Sequence, residues 1–127
     1  MTELTIISTK DAPEAIGPYS QAVRCGQLLF CSGQIPLDPK TMQIVDGDVK
    51  AQAEQVCRNI AGVLKAAGLD FNRVIKATCF LKNMNDFVAF NEVYSKYFGA
   101  TKPARSTVEV ARLPKDVLVE IEVIASF

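Results

Sequence analysis

The pattern of residues predicts an α+β fold, a mixed sheet of about six strands with two helices on one face. Three observations carry this. Over residues 48–67, Val49, Ala53, Val56, Cys57, Ile60, Leu64 and Ala67 recur at spacings of three and four, which is the period of an amphipathic helix. Phe87, Phe90, Tyr94, Tyr97 and Phe98 repeat that period. The remaining apolar runs are short and alternate, and 127 residues at 49% hydrophobic and 22% charged fit one compact unit, residues 1–127, with no repeat, low-complexity segment or linker.

In chain order, Leu4 to Ser8 and Ser20 to Arg24 are strand candidates on either side of DAPEAIGP, whose two prolines and glycine break any helix. Gln27 to Ser32 is a third strand, with Leu28 and Phe30 on one face and Leu29 and Cys31 on the other, closed by Gly33 and QIPLDPKT. Apolar side chains on both faces require cover on both. The first helix then runs to a stop at Gly68. A fourth strand, Arg73 to Lys82, sets Ile75, Ala77, Cys79 and Leu81 on one face and Val74, Lys76, Thr78, Phe80 and Lys82 on the other. Asn85 or Asp86 caps the second helix, whose aromatic stripe faces the sheet. The last segment reads as a hairpin: Arg105 to Arg112, a turn near LPKD, and Val117 to Ala125. Two helices cover only one face of such a sheet, so the other is expected to be buried by further copies of the chain in a closed homo-oligomer.

Composition excludes several function classes. Fourteen basic residues balance fourteen acidic ones, so no net field gathers nucleic acid or an anionic membrane. The opening MTELTIISTKD has neither the basic nor the apolar region of a signal peptide, and no apolar run is long enough to cross a bilayer, which predicts a cytoplasmic protein. The four cysteines form no C-x-x-C pair and fit a reducing compartment, with Cys57 and Cys79 as small buried hydrophobes and Cys25 and Cys31 structural near turns. Histidine is absent. Its absence removes the usual base of Ser-His-Asp and Cys-His sites and the commonest catalytic zinc ligand, so any acid or base is Asp, Glu, Lys, Tyr, Cys or water. Neither a calcium loop nor a phosphate loop occurs, and no metal or cofactor is expected.

The stretch PARSTVEVARLP, residues 103–114, carries the fixed cation Arg105. In the expected hairpin, Arg105, Thr107 and Glu109 share a face with Glu120 and Glu122 of the returning strand. One turn register sets Thr107 opposite Glu120 and the other sets it opposite Glu122; periodicity does not choose between them. An arginine and a carboxylate about 7–8 Å apart on one sheet face form a surface ion pair, or else a site in which the guanidinium forks a substrate carboxylate and the glutamate orients or deprotonates water.

IGPYSQAV (16–23), SGQIPLDP (32–39) and PARSTVEVARLPKDVLVEIEVIA (103–125) closely resemble the signature segments of the RidA/YjgF family of reactive intermediate imine deaminases, and NEVYSKYF in the second helix is similar as well. The resemblance implies a chorismate-mutase-like fold, a homotrimer with sites in the clefts between subunits, and hydrolysis of 2-iminopropanoate and 2-iminobutanoate to 2-oxo acids and ammonia without metal or cofactor. Such imines arise from pyridoxal-phosphate dehydratases and damage pyridoxal-phosphate enzymes. By the same resemblance, Arg105 holds the substrate carboxylate, Glu120 positions the attacking water, and Tyr19, Ser32, Gly33, Asn91 and Thr107 line the pocket. Read alone, Tyr19 is packing beside a Gly-Pro turn, Ser32 a turn hydroxyl without a base to activate it, and Asn91 a surface or capping amide. Thr107 stands where most members carry cysteine, and GATK (99–102) is short against some relatives. The family's resemblance to ribonucleases and translation inhibitors, and a regulatory role in sensing small carboxylates without turnover, are the alternatives; zero net charge and the lack of a basic, aromatic-interleaved motif argue against RNA.

Overall fold

The computed structural model describes residues 2–127. Its strands are β1 (Leu4–Ile7), β2 (Ala22–Cys25), β3 (Leu28–Cys31), β4 (Val74–Leu81), β5 (Ala104–Glu109) and β6 (Val119–Ser126); its helices are α1 (Val49–Ala66) and α2 (Phe87–Phe98). The strands form one mixed sheet in the order β1-β2-β3-β6-β4-β5, the α+β architecture expected.

Helix α1 begins where Asp48 accepts a hydrogen bond from the Ala51 amide at 3.1 Å, satisfying a donor that the first turn leaves free. It stops just before Gly68, which takes φ +78°, a left-handed conformation that costs glycine little. The start of α2 differs from expectation. A short 3-10 turn, Met84–Asp86, precedes it, and Asn83 caps that turn by accepting from Asn85 N at 2.9 Å; Asp86 makes no capping bond.

The alternation of β4 is interrupted once. Val74 pairs with Ala125 and Lys76 with Ile124, so Ile75 sits in a bulge. The expected core position of Ile75 passes to Val74: Ile75 is 46% exposed and Val74 is 3% exposed.

A larger correction concerns the last segment, which is not a hairpin. β5 pairs with β4 in parallel and β6 pairs with β4 antiparallel, so β4 lies between them. Two parallel neighbours need a long crossover, and α2 supplies it as a β4–α2–β5 unit. The connection from Val110 to Leu118 then carries the chain past β4 to enter β6 on its other side.

One face of the sheet meets both helices. Leu29, Ala77, Cys79, Leu81, Ile121 and Ala125 are fully buried there against Val56, Leu64, Phe90 and Phe98. Cys57 and Cys79 are buried as expected, and burial pushes the half-buried Cys31 thiol up to about 12. Along the opposite face Leu4, Ile6, Phe30 and Val108 remain 68%, 67%, 46% and 43% exposed, so this chain leaves an apolar surface uncovered. No helix among the described residues is long and apolar enough to cross a membrane.

Buried amides tie the loops to this frame. Asn59 on α1 donates to Ile35 O at 3.2 Å and Leu37 O at 2.9 Å; Gln52 accepts from Leu118 N at 2.8 Å; Gln21 donates to Pro13 O at 2.8 Å. Together they satisfy loop backbone, including a Leu37 carbonyl that would otherwise be buried unpaired. Asn59→Ala orphans the Leu37 carbonyl, while Ile35 O keeps the Leu37 amide at 2.7 Å, and is expected to lower the unfolding free energy by about 1–3 kcal/mol, read as a lower midpoint in urea.

Candidate active site

Two clusters of polar side chains stand out, and each draws on residues singled out in the sequence. The first is a cleft of about 710 Å³ whose walls include Tyr19, Ser32, Gly33, Lys115, Glu120 and Glu122. Its floor is built by a break in pairing. β3 runs beside β6 with Phe30 opposite Ile124, yet Gln34 bridges Ile121, one residue out of step, and Ser32-Gly33 bulges in the interval.

The Glu120 carboxylate lies over that bulge. A Cβ on Gly33 would overlap its Oε2 and come within 3.0 Å of its Cδ, so the missing side chain of Gly33 is the space that the carboxylate occupies. Glu120 is half-buried, and its carboxyl is held above the ordinary range first by that burial and second by the charge of Glu122. Ser32 donates from Oγ to Ser20 O at 2.6 Å, and its amide bonds Gln21 O at 2.9 Å. The hydroxyl thus braces the loop with its proton engaged, and its oxygen lone pairs stay free. Tyr19, 54% exposed, follows Gly17, whose φ of +118° turns the chain toward the cleft.

The second cluster is a smaller depression of about 240 Å³, lined in part by Asn91, Tyr94, Phe98, Lys102 and Arg105. Arg105 Nη1 donates to Asn91 Oδ1 at 2.7 Å, and the guanidinium carbon stands 4.5 Å from the centre of the Tyr94 ring and 5.5 Å from that of Phe87. The ion pairs among the described residues are Lys50–Glu92, Lys96–Glu54 and Arg112–Asp116, so nothing acidic neutralises Arg105. Thr107, two residues along the same face, buries its Oγ1 without a hydrogen-bond partner.

The strand order decides how the clusters relate. Arg105 and Val123 both align with Ala77 on the helix-covered face, whereas Glu120 and Val108 both align with Phe80 on the open face. Arg105 and Glu120 of one chain therefore point to opposite sides of the sheet. The shared face expected for Arg105, Thr107, Glu120 and Glu122, and the cross-strand ion pair it allowed, are overturned by β4 lying between β5 and β6. Two groups remain: Tyr19, Ser32, Gly33 and Glu120 in one, Asn91, Arg105 and Thr107 in the other.

Sequence reasoning missed Glu14 and Lys115 in the larger cleft and the placement of Tyr94 beneath Arg105. Lys115 and Asp116 have φ of 55° and 56°, left-handed values that no glycine announces. Among the described residues no three His, Cys, Asp or Glu side chains cluster as metal ligands.

The family model described as Endoribonuclease L-PSP matches residues 9–127. A RutC family protein of Pyrococcus horikoshii is 61% identical over 120 residues, spanning 94% of this chain and 95% of that one. The 2-iminobutanoate/2-iminopropanoate deaminase of Mus musculus is 51% identical over 120 residues, 94% of this chain and 89% of the mouse protein. Among solved structures, the Rid-family protein YyfA of Yersinia pestis superimposes with a TM-score of 0.96 at 48% identity, covering 98% of this chain and all of that one. The chain belongs to the RidA/YjgF family. The structure of E. coli TdcF with bound serine also matches, with a TM-score of 0.91 at 48% identity, over 97% of this chain and 98% of that one.

The RidA/YjgF fold makes the space above Gly33 testable in isolation. Gly33→Ala is expected to swing the Glu120 side chain away while the sheet persists, at a cost of about 1–3 kcal/mol. A displaced Glu120 carboxyl resonance in ¹³C NMR, with an unchanged far-UV circular dichroism spectrum, is the outcome to look for.

Proposed function

We propose that this protein hydrolyses 2-imino acids such as 2-iminobutanoate and 2-iminopropanoate to 2-oxo acids and ammonia, in sites formed where the Arg105 cluster of one copy meets the Glu120 cleft of the next. The observation that carries this reading is the unneutralised Arg105 on one sheet face and the half-buried Glu120 on the other. A protonated 2-imino acid is a planar zwitterion, and its two charges match the two clusters. The mouse relative's activity supports the chemistry, and serine bound to TdcF supports a small carboxylate as ligand.

In this reading the Arg105 fork takes the substrate carboxylate through two parallel N–H bonds, with Asn91 engaging one further donor. Glu120 accepts a proton from a water aligned with the imine carbon. The water oxygen bonds to that carbon while the C=N electron pair moves to nitrogen, giving a carbinolamine. Glu120 returns the proton to nitrogen, then takes the hydroxyl proton as the C–N bond breaks and the C=O bond forms; ammonia leaves and carries that proton away as ammonium. The iminium is electrophilic from the outset, so positioning supplies most of the acceleration and neither metal nor cofactor is required. Tyr19 and Ser32 border the cleft, Gly33 seats the carboxylate, and the Thr107 hydroxyl lies buried two residues along β5 from Arg105.

Opposite sheet faces cannot both close on one partner, which favours a ring of copies, and the uncovered apolar face gives a trimer its contact surface. In an assay that generates the imine with a threonine dehydratase, the protein is expected to speed its loss. Arg105→Ala is expected to reduce kcat/KM about 100-fold or more, and Glu120→Gln to reduce kcat by about 10²–10⁴-fold. Mixed oligomers of the two inactive variants should recover about a quarter of the activity, because a random ring restores that share of intact sites. Activity confined to either variant alone, or no recovery on mixing, counts against shared sites.

The pH profile carries a separate prediction. Glu120 must be ionised to accept the proton, and its carboxyl is raised, so activity is lost as pH falls through a value above the usual glutamate range. Glu122→Gln removes the neighbouring charge and should move that acid limb to lower pH, with Glu14 and Lys115 the other charged groups on the cleft wall.

A further inference from the structure

Arg105 presents a mechanical problem. It projects from β5, the last strand of the sheet, on a long flexible stem, and no carboxylate among the described residues holds its head. An acidic neighbour would order it but would also cancel the charge offered to a ligand. We infer that Tyr94 is the positioning residue that fixes the plane of the Arg105 guanidinium; the consequence for substrate rests on the function proposed above.

Three observations lead there. The guanidinium carbon lies 4.5 Å from the Tyr94 ring centre, within cation–π range, and the Asn91 oxygen at 2.7 Å pins one nitrogen. The ring itself is packed on its far side: it stacks on Phe98 at 4.3 Å and 17°, lies 5.7 Å from Phe90 centre to centre, and Phe98 packs edge-on against Phe71 at 4.9 Å. The Tyr94 hydroxyl is buried with no hydrogen-bond partner among the described residues, so what Tyr94 gives Arg105 comes from its ring face and not from its oxygen. A face of π-electrons attracts the planar guanidinium and orients it while leaving its outward N–H groups and its charge available. This residue reads from sequence as core alone, and it is core on one side only.

The test compares Tyr94→Leu with Tyr94→Phe in two backgrounds. Two quantities are read: the Arg105 Nε–H resonance by ¹⁵N NMR, and the affinity for 2-oxobutanoate by calorimetry. Tyr94→Leu is expected to sharpen and shift the resonance toward that of a free arginine and to weaken 2-oxobutanoate about tenfold, whereas Tyr94→Phe restores both. In the Arg105→Lys background, where no planar fork remains, Tyr94→Leu should change affinity by less than about twofold. A loss of the same factor in both backgrounds, or an Arg105 resonance indifferent to Tyr94→Leu, overturns the inference. Tyr94→Met, which fills more of the volume, replaces Tyr94→Leu if the latter does not fold. A wild-type protein whose Arg105 signal depends on Tyr94 but which binds no 2-oxo acid upholds the inference and overturns the proposed function.

Discussion

The position of β4 between β5 and β6 governs where this chain places its charged side chains. Side chains on a strand alternate from face to face, and neighbouring strands keep that parity, so the ladder that aligns Ala77 with Arg105 and Phe80 with Glu120 commits the cation and the carboxylate to different sides. No rotamer change undoes this. Bringing both groups to one substrate requires a second chain, and the apolar strip of Leu4, Ile6, Phe30 and Val108 shows that the face bearing Glu120 is not finished as a water-facing surface.

Each half is then held by different physics. On the Glu120 side the frame is hydrogen-bonded: Asn59 secures the Ile35 and Leu37 carbonyls, Ser32 secures Ser20, and the absent Cβ of Gly33 leaves room for a half-buried acid. On the Arg105 side the frame is aromatic, a column from Phe71 through Phe98 to Tyr94 that ends under the guanidinium. The division suits the charges. The Glu120 carboxyl sits where burial makes ionisation harder, and the Arg105 cation lies against rings that do not take its proton.

The sequence announced α1, the aromatic stripe of α2 and the number of strands because these are periodic, and periodicity is local. It was silent on adjacency. An apolar-polar repeat in residues 105–112 tells which side chains share a face of that strand, not which strand lies beside it, and a turn-like LPKD made a hairpin the economical reading. The cue that pointed the other way was the helix between β4 and β5, which suits a parallel crossover. The bulge at Ile75 was invisible for the same reason, since it exists only in the pairing with Ala125 and Ile124. Arg105, Asn91, Thr107, Tyr19, Ser32, Gly33 and Glu120 were named through the family resemblance, and the coordinates sort them into two groups that the resemblance alone did not separate.

Segregation of the two groups gives the molecule a direction. A contact between unlike surfaces is heterologous, and successive contacts of that kind either close on themselves or propagate without end, depending on the angle between the mating faces. In the proposed assembly that angle is set by the twist of the sheet carrying both surfaces. In that assembly, a substitution in the outward strip, remote from any reacting atom, would convert a closed particle into an open polymer while every site along it stayed chemically whole.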